Sequence, residues 1–164
     1  MKEILKIREA VLQALRGAGI TALEAYPAQW TRKYAGAAAT VDVGTVDGAV
    51  MGFCNYLGEV YDQTAGTVRE LYGKQLEAES WVDVYGGKAT ECQEGCCQTA
   101  DVLLGGLPSG IRPGELSWEG LVWEKETALF RRRGRLRCRA FFVAEATEDA
   151  DVFLDFQLKG VVHT

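Results

Sequence analysis

The sequence predicts an α+β fold: a mostly antiparallel sheet with two helices packed on one face and a closing β-meander. Three observations predict it. Two segments carry apolar residues at helical spacing, several others alternate apolar and polar residues with period two, and the strand-like segments come in groups rather than in βαβ alternation. With 164 residues, 48% apolar and 25% charged, the chain suits a single domain, 1–164, with a sizeable core.

Ile4, Ile7, Val11, Leu12 and Leu15 fall on one face of an opening helix, with Lys2, Glu3, Lys6, Arg8 and Glu9 opposite. Gly17 and Gly19 end it. Ala22 to Tyr26 reads as a short strand limited by Pro27, and 37–50 as a strand through Val41 and Val43, with glycines at 44, 48 and 52 placed for bulges. The stretch 48–73 has no clean period. It mixes Phe53, Tyr56, Leu57, Val60 and Tyr61 with glycines, which suggests an extended loop or hairpin excursion whose apolar residues are covered by the domain or by a neighbouring subunit.

Period two returns from Lys74 to Tyr85, with Leu76, Ala78, Ser80, Val82 and Val84 on one face. After Gly86 and Gly87, Thr90 stands where a helix N-cap is expected, and Ala89, Cys92, Cys96, Ala100, Leu103 and Leu107 mark one face of a helix closed by Pro108 and Gly110. From Glu115 to Val162 the chain reads as a meander. The arginine-dense stretch 130–139 is placed around a turn at Gly134, where a tight hairpin needs positive φ. Beyond it, Leu136, Cys138, Ala140, Phe142 and Ala144 alternate with Arg135, Arg137, Arg139, Phe141 and Val143. A last strand sets Val152, Leu154, Phe156 and Leu158 against Phe153, Asp155, Gln157 and Lys159.

The net charge of −5 argues against a generic nucleic-acid binder, and no apolar run is long enough for a membrane span. The opening residues lack signal-peptide order, so a soluble protein made in the cytoplasm is expected. Five cysteines, two of them adjacent, point to free thiols rather than a secreted disulfide framework.

No constellation argues for catalysis. The single histidine is His163, Ser80, Ser109 and Ser117 lie in no nucleophile-elbow context, and no phosphate-binding glycine loop is present, so no catalytic, cofactor or metal residue is assigned. Cys92, Cys96 and Cys97 are the alternative, a metal or small-molecule site. Their C-x3-C-C spacing fits small residues filling a helix-to-sheet contact better than a zinc site. The carboxylates of 145–151 read as a solvated acidic loop. Arg131, Arg132, Arg133, Arg135, Arg137 and Arg139 are read as solvated surface or as an intersubunit patch meeting Glu77, Glu79 or Asp83 of a neighbour, with nucleic-acid phosphate as the third and least favoured reading; with Phe53, Tyr56 and Tyr61 they form the candidate interface.

Asn55-Tyr56-Leu57-Gly58, the 66–73 string GTVRELYG, Leu107-Pro108-Ser109-Gly110-Ile111 and the 153–161 string FLDFQLKGV carry a resemblance of overall pattern. The chain resembles a small protein of the tail-assembly region of contractile-tailed bacteriophages and prophages. Its element order is also similar to that of tail terminator proteins, which form a hexameric ring that caps the tail tube and joins the head. The resemblance implies a homo-hexamer whose partners are tube or sheath protein and a head-completion protein. It implies residence in the bacterial host cytoplasm during assembly and in the virion tail afterwards, with another tube-associated or connector component as the alternative.

Overall fold

A computed structural model describes residues 2–27, 34–50, 55–147 and 156–160, with 49, 50 and 147 described as backbone alone. The elements run α1 (Lys2–Gly17), β1 (Thr21–Leu23), β2 (Ala38–Val50), β3 (Tyr56–Asp62), β4 (Thr67–Gly86), α2 (Ala89–Gly105), β5 (Ile111–Trp118), β6 (Val122–Glu124), β7 (Leu129–Thr147) and β8 (Gln157–Leu158). They form an α+β fold around one eight-stranded sheet, antiparallel except where β1 runs parallel to β2.

Two long strands are its axis. β4 and β7 pair without a break from Arg69↔Thr147 to Gly86↔Phe130. The far edge of β4 carries β3 at one end and β2 along the rest, while the far edge of β7 carries β6, β5 and β8 in succession. The closing strands β5, β6 and β8 are therefore all antiparallel to β7 and share one of its edges, because β4 fills the other.

Alternation sorts the sheet into two faces. Val41, Leu76, Val82, Val84, Leu136, Cys138, Ala140 and Phe142 are buried beneath the helices, together with Ile7, Val11, Leu12 and Leu15 of α1 and Cys92, Cys96 and Leu103 of α2. α1 ends as its glycines require. Gly19 takes φ 81°, its N–H donates to the Arg16 carbonyl at 3.0 Å, and Ile20 N–H donates to the Leu15 carbonyl at 3.0 Å, which is a Schellman cap.

Four local expectations change. Gly134 is not a turn: it lies inside β7 opposite Trp118, and a Cβ there would sit 2.7 Å from the Trp118 ring. Glycine is present because the indole occupies its side-chain space; the turn falls earlier, at 125–128, where Ala128 takes φ 53°. Lys88 rather than Thr90 is the N-cap of α2, with no side-chain cap bond. Glu3 is buried rather than on the polar face of α1, since it accepts a hydrogen bond from Lys74 Nζ at 2.8 Å. Finally, the first short strand spans only Thr21–Leu23, after which Tyr26 turns back to lie 4.7 Å from the Tyr85 ring. Most of the expected last strand, 152–155, and the acidic stretch 148–151 lie outside the described residues; within that strand β8 pairs Leu158 with Phe142.

Candidate assembly surfaces

The sheet face turned away from the helices is a ladder of charge. Register sets Glu77 opposite Arg139, Glu79 opposite Arg137, Trp81 opposite Arg135, Asp83 opposite Arg133 and Tyr85 opposite Arg131. Opposed residues on one face lie close enough for each pair to close. Arg133 meets Asp83 through two parallel bonds, Nε to Oδ1 at 2.8 Å and Nη2 to Oδ2 at 2.9 Å, and Arg131 Nη1 reaches the same carboxylate at 3.5 Å. The Asp83 carboxylate holds the Arg133 guanidinium above its ordinary value. Arg137 lies 3.6 Å from Glu79, and Arg139 bonds Glu77. Arg133 and Arg135 also sit over the Trp81 ring.

The carboxylates expected from a neighbour are thus supplied by the adjacent strand of the same chain. The arginine stretch also divides by strand alternation. Arg131, Arg133, Arg135, Arg137 and Arg139 share the ladder face, whereas Arg132 follows the inward register of Phe130 and Leu136 and donates from Nε to the Glu119 carbonyl at 2.7 Å.

Tyr56 and Tyr61 belong to a different surface. β3 and the first residues of β4 form a hairpin arm, with Val60 opposite Arg69 and Tyr61 opposite Val68. Its turn is tied by Asp62, whose Oδ1 accepts from the Thr64 and Ala65 N–H groups at 2.9 and 3.2 Å. These backbone bonds, followed by Arg69, lower the Asp62 carboxyl below its ordinary value. Arg69 fixes the arm to the sheet by reaching Asp62 at 2.7 Å and Glu145 at 2.9 Å. Tyr56, Leu57, Val60 and Tyr61 are all exposed, Tyr61 at 62%. Phe53, the remaining expected interface residue, lies outside the described residues.

Leu121, Val122 and Trp123 are a second exposed apolar group, which the sequence pattern did not mark. They occupy the β5–β6 corner, where Trp123 packs edge-on against Phe130 with ring centres 4.9 Å apart. A three-residue run has no readable period; the only sequence signal was three large apolar residues between Gly120 and a charged triplet. Of the nine large apolar side chains exposed among the described residues, seven lie in these two groups.

Cys92, Cys96 and Cys138 are packing residues, and Cys54 lies outside the described residues. Cys92 and Cys96 are buried, Cys92 Sγ donates to the Val84 carbonyl at 3.2 Å, and Cys97 points outward. Hydrogen bonding to Cys92, then burial, holds the Cys96 thiol well above its usual range, and burial pushes Cys138 up to about 11. Among the described residues no group of three or more His, Cys, Asp or Glu side chains converges as a metal site, and no helix is long and apolar enough to cross a membrane.

No protein-family profile matches the chain. No curated protein matches it either. Among solved structures, it is similar to a chain of the virion of a native gene transfer agent particle, at 18% identity and a TM-score of 0.40, over 83% of this chain and 95% of that one.

Proposed function

We propose that this protein is a structural subunit of a phage-type virion, a tail terminator or completion protein that assembles into a homo-hexameric ring on the tail tube and offers the head-joining surface. It is not an enzyme on this reading, and it carries no cofactor. Its partners are further copies of itself, the tube or sheath protein and a head-completion protein, met in the host cytoplasm during assembly.

The observation that carries this reading is the hairpin arm. Tyr56, Leu57, Val60 and Tyr61 stand exposed on an edge strand whose neighbour is β4, and neither helix packs over that strand. An apolar edge strand of this kind marks a protein contact, because both its side chains and its outer backbone groups gain from pairing. The tail assignment itself rests on the sequence resemblance in the 55–58, 66–73, 107–111 and 153–161 strings.

Mass measurement over a concentration series, with and without purified tail tubes, tests the ring. The expected result is a six-subunit species at high concentration or on the tube; a monomer under every one of these conditions contradicts it.

A further inference from the structure

The two exposed apolar groups sit at opposite corners of the sheet. β3 lies on the far edge of β4, with Val60 at the level of Arg69, and β6 lies on the far edge of β7, with Val122 paired to Arg131 and hence level with Tyr85. The sixteen residue steps of β4 from one level to the other separate the corners by about 50 Å along the strands. One chain therefore presents two different sticky edges that face away from each other, which is what a head-to-tail contact requires.

The arm also shows what charge its occupant brings. Glu59 stands directly opposite Glu70, an unfavourable cross-strand pair of like charges. The Tyr72 hydroxyl donates to Glu70 Oε2 at 2.8 Å, and the bond to Glu70 raises the Tyr72 phenol; burial, then the Glu59 charge and hydrogen bond, raises Tyr56. These hydroxyls satisfy lone pairs without neutralising charge. Two arms meeting about a two-fold axis would bring four carboxylates together. At the other corner, Lys125 is exposed beside Leu121–Trp123, and Arg132 donates to a backbone carbonyl rather than to a carboxylate; Glu119 and Glu126 are the acidic residues there, while Glu124 is engaged by Arg131 and Thr127.

Side-chain direction agrees. Glu59, Glu70 and Tyr61 register with the helix-bearing side of β4, and Trp123 and Arg132 register with the helix-bearing side of β7. If β3 of one copy runs along β6 of the next, these groups adjoin on one side of a continuous sheet.

We propose that the β3–β4 arm of one copy docks edge to edge on the Leu121–Trp123 corner of the next, with Lys125 and Arg132 supplying the positive charge that the Glu59–Glu70 pair lacks. This rests on the reading of the chain as a self-assembling subunit. Each apolar patch is on the order of 300 Å², well under the ~800 Å² per partner of a standard interface. A single contact is weak, and closure of a ring, where each copy is held at both corners, makes the assembly stable.

The test uses chains with Cys54 and Cys97 replaced by serine, one carrying Tyr61→Cys and the other Trp123→Cys, two positions on the same side of the sheet. On mild oxidation at high concentration, the mixture should yield cross-linked heterodimers at least about tenfold above either chain alone, the margin expected of one specific geometry over random encounter. Glu59→Lys and Lys125→Glu should each weaken self-association, and the two together in one chain should restore it. Cross-linking within the Tyr61→Cys chain alone overturns the proposal in favour of arm-to-arm pairing. Oligomers that form without heterodimer cross-links overturn the contact but leave self-assembly intact. Absence of both oligomers and cross-links, with or without tubes, removes both.

Discussion

Asp83→Asn tests whether the arginine ladder is held within the chain. The Asp83 side chain is 11% exposed and takes two charge-assisted bonds from Arg133, with Arg131 also in range. Such bonds contribute roughly 1.5–3 kcal/mol. Arg133 is 39% exposed, so solvent screening discounts the lower-lying partner and the net loss should be about 1.5–2 kcal/mol. The amide keeps the shape but leaves Arg131 and Arg133 without their shared anion. With a urea dependence of about 2 kcal/mol per molar, the unfolding midpoint should fall by about 0.8–1 M. Glu77→Gln is the internal control. Its pair with Arg139 is exposed on both sides, 49% and 59%, and its removal should shift the midpoint by less than about 0.3 M. Measured at a concentration where mass measurement finds only monomer, the gradient belongs to the fold alone. Asp83→Asn with an unchanged midpoint, or with a loss that appears only in the assembled state, would refute the intramolecular ladder.

Two further outcomes follow from packing and from titration. Gly134→Ala places a methyl against the Trp118 ring and should cost about 1–3 kcal/mol in the same unfolding assay; Trp118→Leu should tolerate the alanine, whereas equal cost in both backgrounds would contradict the close approach. Burial alone would raise the Glu3 carboxyl, but the Lys74 hydrogen bond, a backbone bond and the Lys74 and Lys6 charges outweigh it and hold the group below its ordinary value of 4.5. A depressed folded value means that Glu3 stabilises the protein above that ordinary value and loses this contribution as pH falls through the folded one. The stability difference between wild type and Glu3→Gln should therefore shrink from neutral pH to about pH 3, and a constant difference would count against the ion pair.

Elements whose two faces differ were legible in the sequence. α1, the 74–85 half of β4 and the 135–144 half of β7 each bury one face under helices or sheet, so their apolar residues keep a strict period. The arm was not legible because both of its faces are exposed: Val60 and Leu57 lie on one side and Tyr61 and Tyr56 on the other, which erases the alternation. Gly134 misled for a related reason. Glycine permits a turn, but it also permits an indole to lie on a strand, and only the register of β5 decides between them. The arginines were visible as a group, yet their partners depend on the pairing of β4 with β7 across some fifty residues of chain, which no local pattern encodes.

The most direct test of the central claim is electron microscopy of tails assembled in cells that make every other virion protein but lack this chain. The account predicts overlong or uncapped tubes that join no heads, with normal length and joining restored when the chain is supplied. Tails of normal length carrying heads in its absence would contradict the claim, and normal-length tails without heads would reassign the chain to a connector role.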